Sequence, residues 1–358
     1  MRIRPAPAPA AASPLWERLR RWFGLGPAPA RAARERRPAP PPPARAAPPA
    51  PRVGTPLEAP WAGLVAAPGV DAGAARAHVI RALRALQATE PALADAVLAV
   101  AGDERLDLPV FPDVARALDR LLRAGDPPTT EVARLLQQDP DLVRRVWQAA
   151  NGAGWARAAA SLDHALARIG MDETWRIAMG ACVHAPVFRL RAFQAQADRA
   201  RARGLIAAEV AAHLAAEGRG DAWVAGLVHE AGPLVVWRAA ARAQPVPAAG
   251  AVEALLREIG PSMSVLVAHA WGLGRTVAWG AGLHPDPAAA SPEGRRIART
   301  VQVARMCAVA VLEAEEGRDW GVLGALAEAA DPGVDPPSAL RVARDTLGRL
   351  RAGAAAAG

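Results

Sequence analysis

The sequence predicts an all-α fold, and three observations support that prediction. Hydrophobic residues make up 52% of the 358 residues while aromatic residues make up only 4%. Ala and Leu therefore supply most of the apolar side chains, which favours close-packed helices. From Trp61 onward, apolar residues recur at intervals of three and four, as they do within residues 72–89 and 91–102. The sequence contains no convincing run of alternating β-branched residues, the pattern typical of a strand.

Residues 1–60 differ in composition from the rest of the chain. They hold 16 of the 34 prolines, and proline at this density removes backbone donors and favours extended geometry, so we expect a disordered tether. Within it, residues 13–26 (SPLWERLRRWFGLG) combine Trp and Arg side chains at helical spacing, with Ser13 as a cap. Such a short amphipathic helix can make a weak contact with an anionic membrane or a partner's groove. The alternative is a frayed tail that does neither.

The net charge of +8 is concentrated in this tail. Residues 1–52 carry eleven Arg and two Glu, whereas residues 53–358 are close to neutral. A domain that recognises nucleic acid specifically is expected to carry a basic face, and this balance does not favour one. The two cysteines, Cys182 and Cys307, lie far apart. This spacing argues against a disulfide scaffold or a structural zinc site, and it favours a reducing cytoplasm.

Residues 107–180 contain the clearest signals for helix ends. One predicted helix ends at Gly125, because glycine adopts backbone conformations that other residues avoid. Asp139 is expected to cap the next long helix, with a proline in its first turn. Ser161 is expected to cap a further helix that ends at Gly170. The spacing therefore predicts a series of short helices joined by tight turns.

Several segments in the correct order resemble the HDOD domain, the HD-related output domain of bacterial signalling proteins. These are the Leu-Pro entry of LPVFPDVARALDRLL, the segment QQDPDLVRRVWQAAN, the Ser-led helix ending in RIGM, and AGLVHEAGPLVV followed by AHAWGLG. The resemblance covers about residues 105–310, with helical extensions expected at 61–104 and 311–358. It implies an all-helical fold related to the HD phosphohydrolases, with the catalytic apparatus generally lost. It also implies a role in signal transduction through protein contacts.

The resemblance further implies where the metal ligands of an HD hydrolase would stand, and most of these positions hold other residues. The central His-Asp pair is represented by His229 and Glu230, and His284 remains from a second pair. The other ligand positions hold residues that lack a donor for a cation or would repel it, namely Gly204, Gly260, Pro285 and Arg305. Two imidazoles and one lengthened carboxylate are too few for a binuclear site. We therefore expect a vestigial pocket around His229, Glu230 and His284, with no catalytic residue, no metal and no cofactor.

Other residues near these positions have ordinary interpretations. Pro233 is expected to interrupt the helix just past the His-Glu pair. His213 follows Glu209 by four residues, so a local hydrogen bond between them is expected. His269 is expected in a core or an interface, and His78 is expected to be exposed.

The leading functional hypothesis is a non-enzymatic regulatory protein whose output is a contact with signalling proteins in trans. The enzyme alternative is a divergent metal-dependent phosphohydrolase or phosphodiesterase, which predicts turnover of a phosphodiester with added Mn²⁺ or Fe²⁺. A third hypothesis is a membrane-tethered adaptor that uses residues 13–26. The helices predicted after residue 310 either pack on the main domain or mediate self-association.

Overall fold

The structure is a computed structural model that describes residues 62–103, 106, 113–151, 159–183, 190–315, 321–330 and 334–356. The predicted tether at residues 1–60, including the helix at residues 13–26, lies outside this part of the chain. Within it the structure contains helices and no strand. The predicted all-α fold is therefore confirmed.

Fourteen α-helices account for most of the described residues. In chain order they are α1 (Ala72–Leu86), α2 (Pro91–Gly102), α3 (Asp113–Ala124), α4 (Thr129–Leu136), α5 (Pro140–Ala150), α6 (Leu162–Val183), α7 (Gln194–Leu214), α8 (Arg219–Val228), α9 (Ala231–Arg242), α10 (Ala249–Ala270), α11 (Arg275–Leu283), α12 (Pro292–Ala314), α13 (Val322–Ala329) and α14 (Pro336–Ala356).

Local side-chain caps fix the ends of several helices as the sequence predicts. Asp139 Oδ1 accepts a hydrogen bond from the Leu142 amide at 3.2 Å, and Ser161 Oγ accepts one from the His164 amide at 3.1 Å. Gly125 follows the end of α3 with a φ of +156°. At Gly170 a φ of +81° kinks α6 within its length. These signals were predictable because each involves residues only a few positions apart.

The N-terminal helices pack on the central helices. Helix α1 contacts α10, and α2 contacts α9. The side chain of His78 on α1 hydrogen-bonds Ser262 Oγ at 2.8 Å and Glu258 Oε1 at 3.1 Å. It is only 13% exposed, so the expectation of an exposed His78 was wrong. His269 contacts the segment before α1, because its Nε2 lies 2.6 Å from the Val70 carbonyl oxygen.

Two glycines let the central helices approach each other closely. A Cβ on Gly226 of α8 would lie 2.7 Å from the Ala207 carbonyl oxygen of α7. A Cβ on Gly232 of α9 would lie 2.3 Å from the Ser264 amide nitrogen of α10. Both separations are far below a normal contact. The backbones of α7 and α8, and of α9 and α10, therefore meet where these residues lack a side chain.

The C-terminal helices pack on the rest of the protein. A second apolar cluster joins α7 and α12 to α14, which buries Leu340, Leu347 and Leu350. His213 Nε2 of α7 lies 2.7 Å from Ser338 Oγ of α14. The expected bond between His213 and Glu209 is therefore wrong. Glu209 Oε1 instead accepts a hydrogen bond from Trp223 Nε1 at 2.8 Å. The sequence left open whether the helices after residue 310 pack on the main domain or mediate self-association. In the structure they pack on the main domain.

No helix in the described part of the chain is both long enough and apolar enough to cross a membrane.

Substituting Gly232 with alanine tests the close approach of α9 and α10. The new methyl group would overlap the Ser264 backbone, so we expect a loss of about 1–3 kcal/mol in the free energy of unfolding, or more. Gly250→Ala is the matched control, because a Cβ there meets nothing within 4 Å. That control should be neutral, or stabilising by about 0.5–1 kcal/mol. Urea denaturation measures both, and equal stabilities would contradict the account.

Candidate functional site

The predicted residues His229 and Glu230 form the junction between α8 and α9. Helix α8 ends at Val228 and α9 begins at Ala231, so the two residues form the short turn between these helices. Pro233 lies in the first turn of α9. Backbone N–H groups in the first turn have no partner within the helix, so the N–H that proline lacks costs no hydrogen bond there. The expectation that Pro233 interrupts a helix was therefore wrong, because the break precedes it.

The junction is held in place from α10. Ser264 Oγ donates a hydrogen bond to the carbonyl oxygen of His229 at 2.8 Å, and it lies 3.2 Å from the Gly260 carbonyl oxygen of its own helix. Ser264 is completely buried, and Gly232 gives it room. The position of the His-Glu pair is thus set by backbone contacts as well as by its own side chains.

His284 lies beside His229, although the two are far apart in the sequence. It follows the last residue of α11, and its ring centroid is 5.3 Å from that of His229, with the ring planes at 78°. His229 is 2% exposed and His284 is 3% exposed. The structure therefore brings the three predicted site residues together in the interior.

Backbone hydrogen bonds determine which nitrogen of each imidazole carries the proton. His229 Nδ1 donates to the Gly226 carbonyl oxygen at 2.6 Å, and His284 Nδ1 donates to the Ala281 carbonyl oxygen at 3.0 Å. A carbonyl oxygen only accepts, so Nδ1 of each ring carries a proton. Both Nε2 atoms are buried without a hydrogen-bond partner. Two buried ring nitrogens in one cluster without such a partner are unusual in a protein interior, and His229 Nε2 lies 3.3 Å from Glu230 Oε1.

Glu230 is engaged by an arginine that the sequence analysis missed. Arg203 of α7 donates from Nε to Glu230 Oε1 at 2.5 Å and from Nη2 to Oε2 at 2.7 Å. This is the bidentate geometry that makes guanidinium–carboxylate pairs strong. The Glu230 side chain is 4% exposed and the Arg203 side chain 22%. The only signal for Arg203 in the sequence was its place beside Gly204, a position where the resemblance implies a metal ligand. Its partner Glu230 lies 27 residues away.

The ion pair sets the protonation state of Glu230. Burial by itself raises the pKa of this carboxyl group, but Arg203 and then His229 outweigh burial, so the pKa lies well below its usual range. Glu230 carries its negative charge throughout the neutral range, and both of its oxygens are committed to Arg203.

A second arginine adds positive charge to the cluster. Arg305 of α12 is 8% exposed. Burial and the charge of Arg203 lower the pKa of Arg305 to about 10, although Glu230 opposes this shift. Burial, His229 and Arg305 together lower the pKa of His284 well below its usual value, so this imidazole is neutral. Two guanidinium groups therefore act on the carboxylate of Glu230.

The residues present do not fit the metal centre of an HD hydrolase. A Cβ on Gly204 would lie 3.2 Å from the Leu227 carbonyl oxygen and 3.4 Å from Glu230 Cβ, so a ligand side chain there would require its neighbours to shift. Arg305 occupies another ligand position with the wrong charge. Among the described residues, no group of three His, Cys, Asp or Glu side chains is arranged to hold a metal ion.

The depressed pKa of Glu230 predicts an acid-sensitive contribution to stability. This contribution is complete above the unfolded-state pKa of about 4.5 and is lost as the pH falls through the lower folded-state pKa. We therefore expect the difference in unfolding free energy between the wild type and Glu230→Gln to narrow steadily below about pH 4.5. Denaturant titrations at a series of pH values measure it. A difference that stays constant down to the acid limit of folding would contradict the assignment.

Comparison with known proteins identifies a family for part of the chain. The family model of the HDOD domain matches residues 108–276, which lie inside the predicted range of 105–310. Among curated proteins no match is found.

Two solved structures share the fold. One is a Shewanella amazonensis SB2B protein described as a "putative metal-dependent phosphohydrolase", with 18% identity, coverage of 74% of this chain and 99% of that chain, and a TM-score of 0.53. The other is an HDOD domain protein with unknown function from Geobacter sulfurreducens, with 21% identity, coverage of 74% and 97%, and a TM-score of 0.52. At these identities the similarity shows the fold alone. Residues 108–276 therefore form a domain of the HDOD family.

Proposed function

We propose that this chain is a non-enzymatic regulatory protein of bacterial signal transduction, which acts through protein–protein contacts of a degenerate HD domain. One observation carries the proposal: both oxygens of Glu230, the counterpart of the central carboxylate ligand, are bound to Arg203. A carboxylate held in this way is not available to a catalytic cation.

The charge of the cluster supports the same conclusion. Metal-dependent phosphohydrolysis needs ions that bind the phosphate group and lower the pKa of a water molecule. Several ligands must converge to hold such ions. Here Arg203 and Arg305 bring two positive charges to the side chains that remain, so the cluster disfavours a further cation. Hydrolysis would have to proceed without the group that supplies its nucleophile.

The preserved framework supports a role in contacts. Close glycine contacts hold α7 to α12 together although the ligand set is incomplete. Helices α1 and α2 pack on one part of this framework and α14 on another. A rigid surface of this kind suits recognition of a partner that does not change shape on binding. We expect the partner to be a signalling protein.

One observation favours the enzyme alternative. The Nε2 atoms of His229 and His284 have no hydrogen-bond partner, whereas the Nδ1 atoms bind backbone carbonyl oxygens. Imidazoles that bind a metal through Nε2 show the same arrangement. A divergent phosphohydrolase or phosphodiesterase is therefore the second candidate. The membrane-tethered adaptor depends on residues 13–26, outside the described residues, and liposome sedimentation of the chain with and without residues 1–52 tests it separately.

Parallel measurements of hydrolysis and partner binding test the proposal. The full chain is assayed with Mn²⁺ or Fe²⁺ against a generic phosphodiester and a cyclic dinucleotide, beside the variant His229→Ala/His284→Ala. We expect equal background rates from both proteins, because neither holds a catalytic ion. Metal-dependent turnover that the double variant loses would contradict the proposal and support the enzyme alternative.

The binding arm uses the same pair of proteins. Each is used to capture partners from extract of its own cells, and the captured proteins are quantified. A regulator that acts through surface contacts should retain its specific partner in the double variant, because both imidazoles are buried. The absence of any stoichiometric partner, together with turnover by the wild type, would overturn the proposal.

A further inference from the structure

Helix α13 buries one face and leaves the opposite face uncovered. Leu326 is the one buried residue of this helix, and it packs with α12 and α14. The opposite face, called the α13 face below, consists of Leu323, Gly324 and Ala327, which are all exposed. Leu323 is 52% exposed, and a Cβ on Gly324 would meet nothing within 4 Å. Nothing in the described part of the chain therefore covers the α13 face.

The shape of the α13 face favours an aromatic partner. Transfer of the exposed Leu323 side chain out of water is favourable. Gly324 and Ala327 carry little or no side chain, so they leave room beside Leu323 for a flat ring. Tryptophan buries a large apolar area in such a contact and keeps its indole N–H at the edge.

The chain around the α13 face is acidic. Glu328 lies on α13 itself, and Asp335 precedes α14; both are exposed. Glu315 at the end of α12 forms an ion pair with Arg351, whereas α13 contains no arginine. In the sequence, residues 313–335 hold seven acidic residues and one arginine. A partner that matches this charge is therefore basic.

One segment of the same chain has this combination of aromatic and basic side chains. It is residues 13–26, within a tail of 52 residues that carries eleven Arg and two Glu. Its apolar residues at helical spacing are Leu15, Trp16, Leu19, Trp22 and Phe23, and its basic residues are Arg18, Arg20 and Arg21. The segment thus complements the α13 face in both hydrophobicity and charge.

The tether is long enough to bring this segment to α13. Thirty-five residues, 27–61, separate it from the first described residue. An extended proline-rich chain of that length spans up to about 110 Å, and a domain of about 300 residues is roughly 50 Å across. Tethering also raises the local concentration of the segment to the roughly millimolar range. A contact within one chain is therefore favoured over a contact with a second copy.

We infer that residues 13–26 dock on the α13 face of their own chain, with the tryptophans against Leu323 and the arginines toward Glu328 and Asp335. The contact covers the apolar side of the tail segment and the apolar face of the helix together. Because part of the attraction is between exposed charges, salt weakens it. The inference goes beyond the proposed regulatory function and does not depend on it, since it concerns a contact within the chain.

Hydrogen–deuterium exchange of full-length proteins tests the contact, and each change is read on the opposite partner. The exchange of the α13 amides is measured in Trp16→Asp/Trp22→Asp, and the exchange of residues 13–26 is measured in Leu323→Asp. We expect both to exchange at least about fivefold faster than in the wild type, because each has lost the segment that protects it. A change that only weakens its own helix does not produce this result. About 0.5 M NaCl should also speed exchange of both segments in the wild type.

Two control variants carry the same added charge away from the contact. Ala28→Asp/Ala33→Asp changes the tail outside residues 13–26, and Ala99→Asp changes an exposed position of α2. Both should exchange as the wild type does. Circular dichroism checks the folding of each variant, and Ala327→Asp on the same face replaces Leu323→Asp if the latter does not fold.

Three results would overturn the inference. The first is α13 exchange that the tryptophan substitutions leave unchanged, which would assign the α13 face to another partner. The second is wild-type protection that rises with protein concentration from about 1 µM to about 50 µM, which would assign the contact to a second copy. The third is a segment 13–26 that exchanges as an unstructured peptide in solution, whether or not it gains protection on phosphatidylserine vesicles; a gain there would assign the segment to a lipid surface.

Discussion

The ion pair between Arg203 and Glu230 is the interaction on which the centre of this domain depends. It connects α7 to the junction of α8 and α9 by two hydrogen bonds between charged groups. A carboxylate that is 4% exposed requires a counter-charge. In a metal-dependent hydrolase an ion supplies that charge, and here a side chain of the same chain supplies it. Arg203 therefore supplies the counter-charge of Glu230 at the centre of the fold.

The pair depends on close packing of the helices that carry it. Gly204 follows Arg203 directly, and a Cβ there would already crowd Leu227 and Glu230. Gly226 allows α8 to lie against α7, and Gly232 allows α9 to lie against α10. A ligand histidine at position 204 would need the space that this approach removes. Loss of the ligand and gain of the ion pair are thus two aspects of one packing arrangement.

The sequence predicted the features that depend on neighbouring residues. The caps at Asp139 and Ser161 and the kink at Gly170 are encoded within a few positions, so helical periodicity and capping preferences were sufficient to predict them. The juxtaposition of His229 and His284 came from the resemblance to a family. Neither periodicity nor spacing alone relates two residues 55 positions apart.

Three of the features that the sequence did not predict depend on long-range contacts. His78 was expected in solvent because its own helix gives no hint of Ser262, which lies 184 residues later and binds it. His213 was assigned to a neighbour on its own helix, yet it bonds Ser338 of α14. Arg203 was missed for the same reason, since its role is visible only when α7 lies beside the α8–α9 junction. Local rules cannot select among distant partners.

A double-mutant cycle on Arg203 and Glu230 tests the central claim most directly. The free energies of unfolding are measured for the wild type, Arg203→Met, Glu230→Gln and the double variant at neutral pH. If the pair supplies the charge balance of the interior, each single change costs more than the double change, with a coupling energy of about 1–3 kcal/mol. If the effects of the single changes add to within about 0.5 kcal/mol, the two side chains do not stabilise each other. The claim that Arg203 supplies the counter-charge of Glu230 would then be wrong.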